Sequence, residues 1–254
     1  MTNDIQEQVK NTSLLATQSD EPVYGFEDED EGDMIIPRVK IIQLMSPEFK
    51  AKEADEGDII NSLTKEKLNN KKFIPVFKFN NNIWWKPRNE GGGINCIARD
   101  GKNGIMSDGT PLACKMCKKN EFDNSKQGAE AIPPCTKYMN FFGFFEGDAI
   151  PTILSFAKTN YAEGKKLFSL AKVTMQNMWH NGYTLEAKLM KKGGNEWYNI
   201  NPVPAGPTTE EERALGKMLY QNFRDINNLN FDIDDNSTAN SDEPAPGAAD
   251  TEEF

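Results

Sequence analysis

Four cysteines carry the clearest chemistry in this sequence, spaced as Cys96-x17-Cys114-x2-Cys117-x17-Cys135. Two thiolates in a Cys-x-x-Cys knuckle, here Cys114-Lys115-Met116-Cys117, can grip one tetrahedral ion. Cys96 and Cys135, each 17 residues outside the knuckle, can complete a four-thiolate shell. Such a shell is closed and leaves no position for a catalytic water, so the ion it predicts is a structural Zn2+. Disulfides and unliganded thiols are the alternatives. The polar stretch Met1 to Lys10 predicts no secretory signal, which argues against disulfides. The single histidine, His180, is followed by Asn181-Gly182 and lacks the His-x-Glu of zinc deaminases. It reads as a surface loop residue beside Trp179.

A second constellation interleaves aromatic rings with cations in three places. The first runs through Lys78, Trp84, Trp85, Lys86 and Arg88; the second holds Lys137, Tyr138 and Phe142; the third holds Lys188, Lys191 and Trp197. Single-strand binders need this combination, because cations track phosphates while rings stack on unpaired bases at about 1–3 kcal/mol each. Individual rings have a plainer reading as core. Side chains alternate faces along a strand, so Trp84 and Trp85 cannot both point inward, nor can Phe141 and Phe142. One Trp is therefore exposed for binding or covered by the cysteine segment. Enzymatic motifs are lacking: Gly91-Gly92-Gly93 and Ala162-Glu163-Gly164-Lys165-Lys166 do not frame a phosphate loop, and no Ser/His/Asp elbow occurs. We read the chain as a non-enzyme, with a carboxylate-metal nuclease as an unsupported rival.

These residues need strands to position them. Met34 to Ile42, Asp58-Ile59-Ile60, Phe73 to Phe79, Ile83 to Arg88, Tyr138 to Phe145, Ile150 to Phe156, Tyr183 to Met190 and Glu196 to Val203 read as strands. Pro75 places the Phe73 strand at an edge or requires a bulge there. Asn80-Asn81-Asn82 reads as a turn, Glu146-Gly147-Asp148 as a hairpin turn, and Gly91 to Pro134 as a long loop. Residues 159–175 have helical spacing, with Tyr161, Leu167, Phe168, Leu170, Ala171 and Met175 as the apolar set. Thr208 to Glu211 reads as a capping box opening a helix with Leu215, Met218, Leu219, Phe223 and Ile226 on one face. The pattern predicts a mainly β, α+β fold: a small barrel or sandwich with two helices and an inserted cysteine region, 91–136.

Net charge, taken whole, argues against nucleic acid: 29 Lys and Arg stand against 39 Asp and Glu, for −10. By segment the inference reverses. Residues 1–33 hold ten acids and one base, and 232–254 hold eight acids and no base. The body, 34–231, holds 28 bases and 21 acids, a net of +7. Blocks of like charge read as disordered, solvated tails that compete for the basic body or recruit partners. No run of about 18 apolar residues occurs, which predicts no membrane helix. The chain ends Asp250-Thr251-Glu252-Glu253-Phe254, an acidic run closed by an aromatic that can enter a partner's basic-rimmed pocket.

The layout resembles the single-stranded DNA-binding proteins that phages encode for their own replication. The resemblance rests on Ile36-Pro37-Arg38-Val39-Lys40-Ile41, the cysteine insertion, the Phe-rich strand after Cys135, the two late strands and the Phe254 tip. It implies an OB-like five-stranded barrel that coats single-stranded DNA without sequence preference in replication, recombination and repair. It further implies that Asp250, Glu252, Glu253 and Phe254 contact a polymerase, helicase or primase. The expected location is the cytoplasm of the infected bacterial host, and a homo-oligomer stays open. The rival of a different class is a zinc-stabilised interaction or regulatory factor acting on a polymerase.

Overall fold

The computed structural model describes residues 35–87, 92–122, 125, 132–148 and 150–224. The acidic segments 1–33 and 232–254, including Asp250, Glu252, Glu253 and Phe254, lie outside the described residues, as do Met34, Arg88 and Ile226. Ten strands and three α-helices are described. The strands are β1 (Arg38–Ile41), β2 (Ile59–Asn61), β3 (Lys72–Trp85), β4 (Ile94–Ala98), β5 (Asn103–Met106) and β6 (Pro111–Ala113), followed by β7 (Cys135–Phe145), β8 (Thr152–Ala157), β9 (Asn181–Lys192) and β10 (Asn195–Pro207). The helices are α1 (Pro47–Lys50), α2 (Tyr161–Val173) and α3 (Glu210–Phe223).

Everything is organised on β3. One edge pairs along its length with β7, from Phe73 opposite Phe145 to Trp84 opposite Cys135. The other edge is shared: β9 takes Lys72 and Phe73, and β4 takes Asn82 to Trp85. β8 continues the sheet beyond β7, and β1 lies parallel to β8 with β2 outside it. The sheet is mixed, and no ladder joins β10 back to β1. Instead the Gln43 side chain acts as a detached peptide group: it donates to the Tyr198 carbonyl at 2.7 Å and accepts from the Tyr198 amide at 2.8 Å. The mainly β, α+β expectation holds, whereas the expected five-stranded barrel meets a larger sheet without ladder closure. The short α1 is a third helix beyond the two expected.

Several local expectations change for identifiable reasons. Asn80-Asn81-Asn82 is no turn but the middle of the 14-residue β3. Asn is a poor strand former, yet here the side chains satisfy one another across strands. Asn140 donates to Asn81 at 2.5 Å, Ser155 donates to Asn140 at 2.7 Å, and Asn82 donates to the Gly101 carbonyl at 3.0 Å. Pro75 sits at a register shift against β7, the bulge its missing N–H requires. The expected 91–134 loop supplies β4, β5 and β6. The capping box lies one residue later than expected, at Thr209 and Glu212. Thr208 instead turns inward: its buried hydroxyl donates to the Trp179 carbonyl at 2.7 Å and accepts from Arg213 Nε at 3.4 Å. Met175 falls beyond the end of α2 and is 95% exposed, so it leaves the expected apolar set.

The sheet buries both faces. One face packs Phe73, Met139, Phe141, Phe145, Leu154 and Phe156 against Leu167 and Ala171 of α2, Leu185 and Ile200. The other packs Ile74, Val76, Phe142, Phe144 and Ile153 against Trp179 and Leu219 of α3. Alternation along β7 divides its four phenylalanines between these cores, Phe141 and Phe145 to one and Phe142 and Phe144 to the other, and Gly143 lies between them. A methyl at Gly143 would come within 2.3 Å of the Ile74 carbonyl, so the bulge opposite Pro75 admits only glycine.

Glu48 anchors α1 from a buried position. Its Oε1 accepts from Lys40 at 2.9 Å and from Lys65 at 3.3 Å. Burial pushes this carboxyl upward, but the hydrogen bonds and the Lys40 charge outweigh it and hold it below the usual carboxylate value. A depressed folded-state pKa stabilises the fold above the unfolded value, near 4.5, and that stability is lost as pH falls through the folded value. We expect Glu48→Ala to cost about 3 kcal/mol at neutral pH. Glu48→Gln should flatten the loss of stability below about pH 4.5, measured by urea melts at stepped pH. An unchanged acid limb would remove the ion pair from the account.

Candidate metal centre and nucleic-acid interface

Sheet register brings the four cysteines together. Cys96 on β4 and Cys135 on β7 both stand opposite Trp84 of β3, one on each side, so all three side chains emerge from one face. After β6 the chain turns through 3₁₀ turns at Cys114–Met116 and Lys118–Asn120. The knuckle is tied back to the insertion and to itself: the Cys114 amide donates to the Lys102 carbonyl at 2.8 Å, and Asn120 donates to the Cys114 carbonyl at 3.0 Å. Cys96, Cys114, Cys117 and Cys135 then line one cavity of about 10 Å3, with Trp84, Ala98 and Leu112 around them. That space suits a single ion or water and nothing larger.

All four are free thiols, so the disulfide alternative is not realised. Burial, then the neighbouring Cys114, Cys117 and Cys96, pushes the Cys135 thiol up to about 12; Cys96 rises from burial and from Cys114 and Cys117. Among the described residues, no group of three or more His, Cys, Asp or Glu side chains is drawn into metal-holding geometry. The four thiols share the cavity, but their placement in this structure is not that of a bound ion. A methyl at Gly104 would lie 2.8 Å from Cys96 Sγ, so glycine keeps room beside that sulfur.

The expected nucleic-acid residues do not converge on one surface. Phe142 is fully buried, stacked on Phe77 with centroids 4.8 Å apart and covered by Phe223, so no base reaches its face. Tyr138 is buried and its hydroxyl accepts from Trp85 Nε1 at 3.4 Å. Lys78 is half-buried, its ammonium 5.2 Å from the Phe168 ring of α2, and desolvation there lowers its pKa. Trp84 and Trp85 take opposite faces as alternation requires, and both are half-covered; Lys119 lies 5.2 Å above the Trp84 ring. Lys86 is half-buried, and its amide donates to the Gly93 carbonyl at 2.8 Å. Lys137 is exposed on β7 opposite Asn82. Lys188 and Lys191 are exposed along the β9–β10 hairpin, where Lys191 pairs with Glu196 at 2.6 Å. Trp197, half-buried, donates to Asn199 at 3.1 Å. The hairpin turns through Gly193 and Gly194, both at positive φ.

Sequence reading missed one group of cations. A cleft of about 580 Å3 lies between α3 and the turn before β9, lined by Trp179, His180, Arg213, Lys217, Tyr220 and Arg224. Its signal was available in the spacing of Arg213, Lys217 and Arg224, which recur on one side of a helix. His180, expected on a surface loop beside Trp179, lies half-buried in this turn, edge-on to the Trp179 ring.

A family model described as Pam3 phage gp34-like protein matches residues 6–227, most of the chain. The chain belongs to that family. No curated protein matches this gp34-like chain, and no solved structure does. Among its described residues, no helix is long and apolar enough to cross a membrane.

Proposed function

We propose that this gp34-like chain binds single-stranded DNA through an OB-like core, with its cysteine insertion held by a structural Zn2+. The observation that carries this reading is connectivity. β3, β7 and β8 form an antiparallel meander; α2 follows; β9 then joins the free edge of β3, and β10 pairs with β9. This order supports an OB-like reading, with β1 beside β8 and tied to β10 through Gln43 and Tyr198. The cysteine insertion then occupies the loop between the first and second barrel strands. The Lys191–Asn195 turn occupies the loop between the fourth and fifth. These two loops are the ones OB-folds use to hold oligonucleotides. The charge division supports the same reading: a +7 body between acidic ends. In this reading the acidic end closed by Phe254 recruits replication proteins.

Fluorescence titration with oligo-dT across a salt series tests it. Binding should be tighter than to duplex and should fall steeply as salt rises. A flat salt dependence, or preference for duplex, removes the proposal. One observation favours the rival interaction factor: Phe77, Phe142 and Phe144 serve the core rather than a stacking surface. For that rival the expected result is capture of a polymerase without nucleic-acid affinity.

A further inference from the structure

The cleft between α3 and the Met178–His180 turn has the chemistry of a nucleotide site. Arg213, Lys217 and Arg224 recur along one side of α3 and face the turn that carries Trp179 and His180. Arg213 donates to the Thr208 hydroxyl at 3.4 Å, none of the three cations makes an ion pair with a described carboxylate, and no acid lines the cleft. Unpaired cations gathered around a concavity favour an anion. The Trp179 and Tyr220 rings, 5.5 Å apart, supply an aromatic wall, and the Asn177 and Gln221 amides lie at the rim. Its volume of about 580 Å3 lies within the range of small-ligand sites, roughly 300–1,000 Å3.

The cleft is built by close packing. Gly216 faces Trp179 so tightly that a methyl there would lie 2.6 Å from the Trp179 Cβ. A glycine at this crossing lets α3 settle onto the turn. Thr208 fixes the same turn from below, through its bond to the Trp179 carbonyl. The cations are thus presented by a helix held on two sides.

We propose that this cleft binds a nucleoside phosphate as one unit of a single DNA strand, with phosphate oxygens on Arg213, Lys217 and Arg224 and the base against Tyr220, which the buried Trp179 ring backs. This deepens the strand-binding reading by naming a contact site away from the cysteine insertion, and it rests on that reading. A free nucleotide offers the same chemistry as a strand, so the experiment separates the two.

The full chain is titrated by anisotropy with labelled oligo-dT across a salt series, and by calorimetry with thymidine 5′-monophosphate. Lys217→Glu/Arg224→Glu alters two exposed side chains, so its thermal melt should match the wild type. It is expected to weaken oligo-dT at least tenfold and to lower the log–log salt slope by about 1.4, at about 0.7 per phosphate contact. Lys50→Glu/Lys52→Glu makes the same change in net charge at the end of α1 and should leave both readings unchanged. Equal weakening by the two double variants overturns the site. Wild-type binding of oligo-dT that survives Lys217→Glu/Arg224→Glu also overturns it, and leaves the strand-binding reading standing. Wild-type binding of the monophosphate without oligo-dT, lost in Lys217→Glu/Arg224→Glu, supports a nucleotide cleft and removes the strand from it. Binding of neither ligand overturns both.

Discussion

Chelation, or the substitution Cys117→Ser, is expected to strip one zinc ion per chain and melt the 92–120 segment while β8 and the later part of β7 stay folded. The reason is where apolar contacts lie. Within the insertion Ile105 is 58% exposed, Met116 82% and Phe122 67%. β4, β5 and β6 are short strands, and a small meander with so little buried surface is marginal by itself. Structural zinc contributes on the order of 10 kcal/mol to small metal-nucleated folds at neutral pH, enough to supply what the insertion lacks. The rest of the sheet depends on Phe141, Phe142, Leu154 and Phe156, which are fully buried and touch no sulfur site. Native mass spectrometry should show one zinc per chain that disappears with chelator. Hydrogen exchange should then show loss of protection confined to the insertion and the start of β7. Freshly purified protein without metal, or unchanged exchange after chelation, would sink the zinc assignment.

Phe142→Ala should lower the melting temperature by about 10 °C. Truncating a buried Phe costs about 3–5 kcal/mol, and a chain of this size loses about 2–4 °C per kcal/mol. Phe142 sits between Phe77 and Phe223, joining β3 and β7 to α3, so its loss opens a cavity under the helix that carries the cationic cleft. Differential scanning calorimetry reads the effect directly. A variant that kept its melting temperature but lost oligonucleotide affinity would return Phe142 to the role of an exposed stacking ring, against its burial here.

The cysteine spacing, the charge division and most strand positions were legible in sequence, because each rests on local properties. A Cys-x-x-Cys knuckle needs only a tight turn; alternation of apolar residues marks a strand; a run of acids repels burial wherever it occurs. The Pro75 bulge was legible for the same reason, since the missing N–H travels with the residue. The cap at Thr209 was nearly so, displaced by one position from Thr208, which instead bonds to a partner 29 residues away.

What stayed hidden depended on which surfaces meet. Asn80-Asn81-Asn82 carries every local mark of a turn, and only the facing Asn140 and Gly101 make it a strand. Alternation showed that Phe141 and Phe142 point to opposite faces, but not that α3 covers the second face and turns an apparent stacking ring into core. Arg213, Lys217 and Arg224 line one cleft only because Gly216 lets α3 close on Trp179. The sequence by itself determined the spacing of the cysteines and a basic body between acidic ends, because composition and spacing belong to the chain. Tertiary structure alone decided which rings and cations are available to a ligand, because exposure belongs to the packing of distant segments against one another.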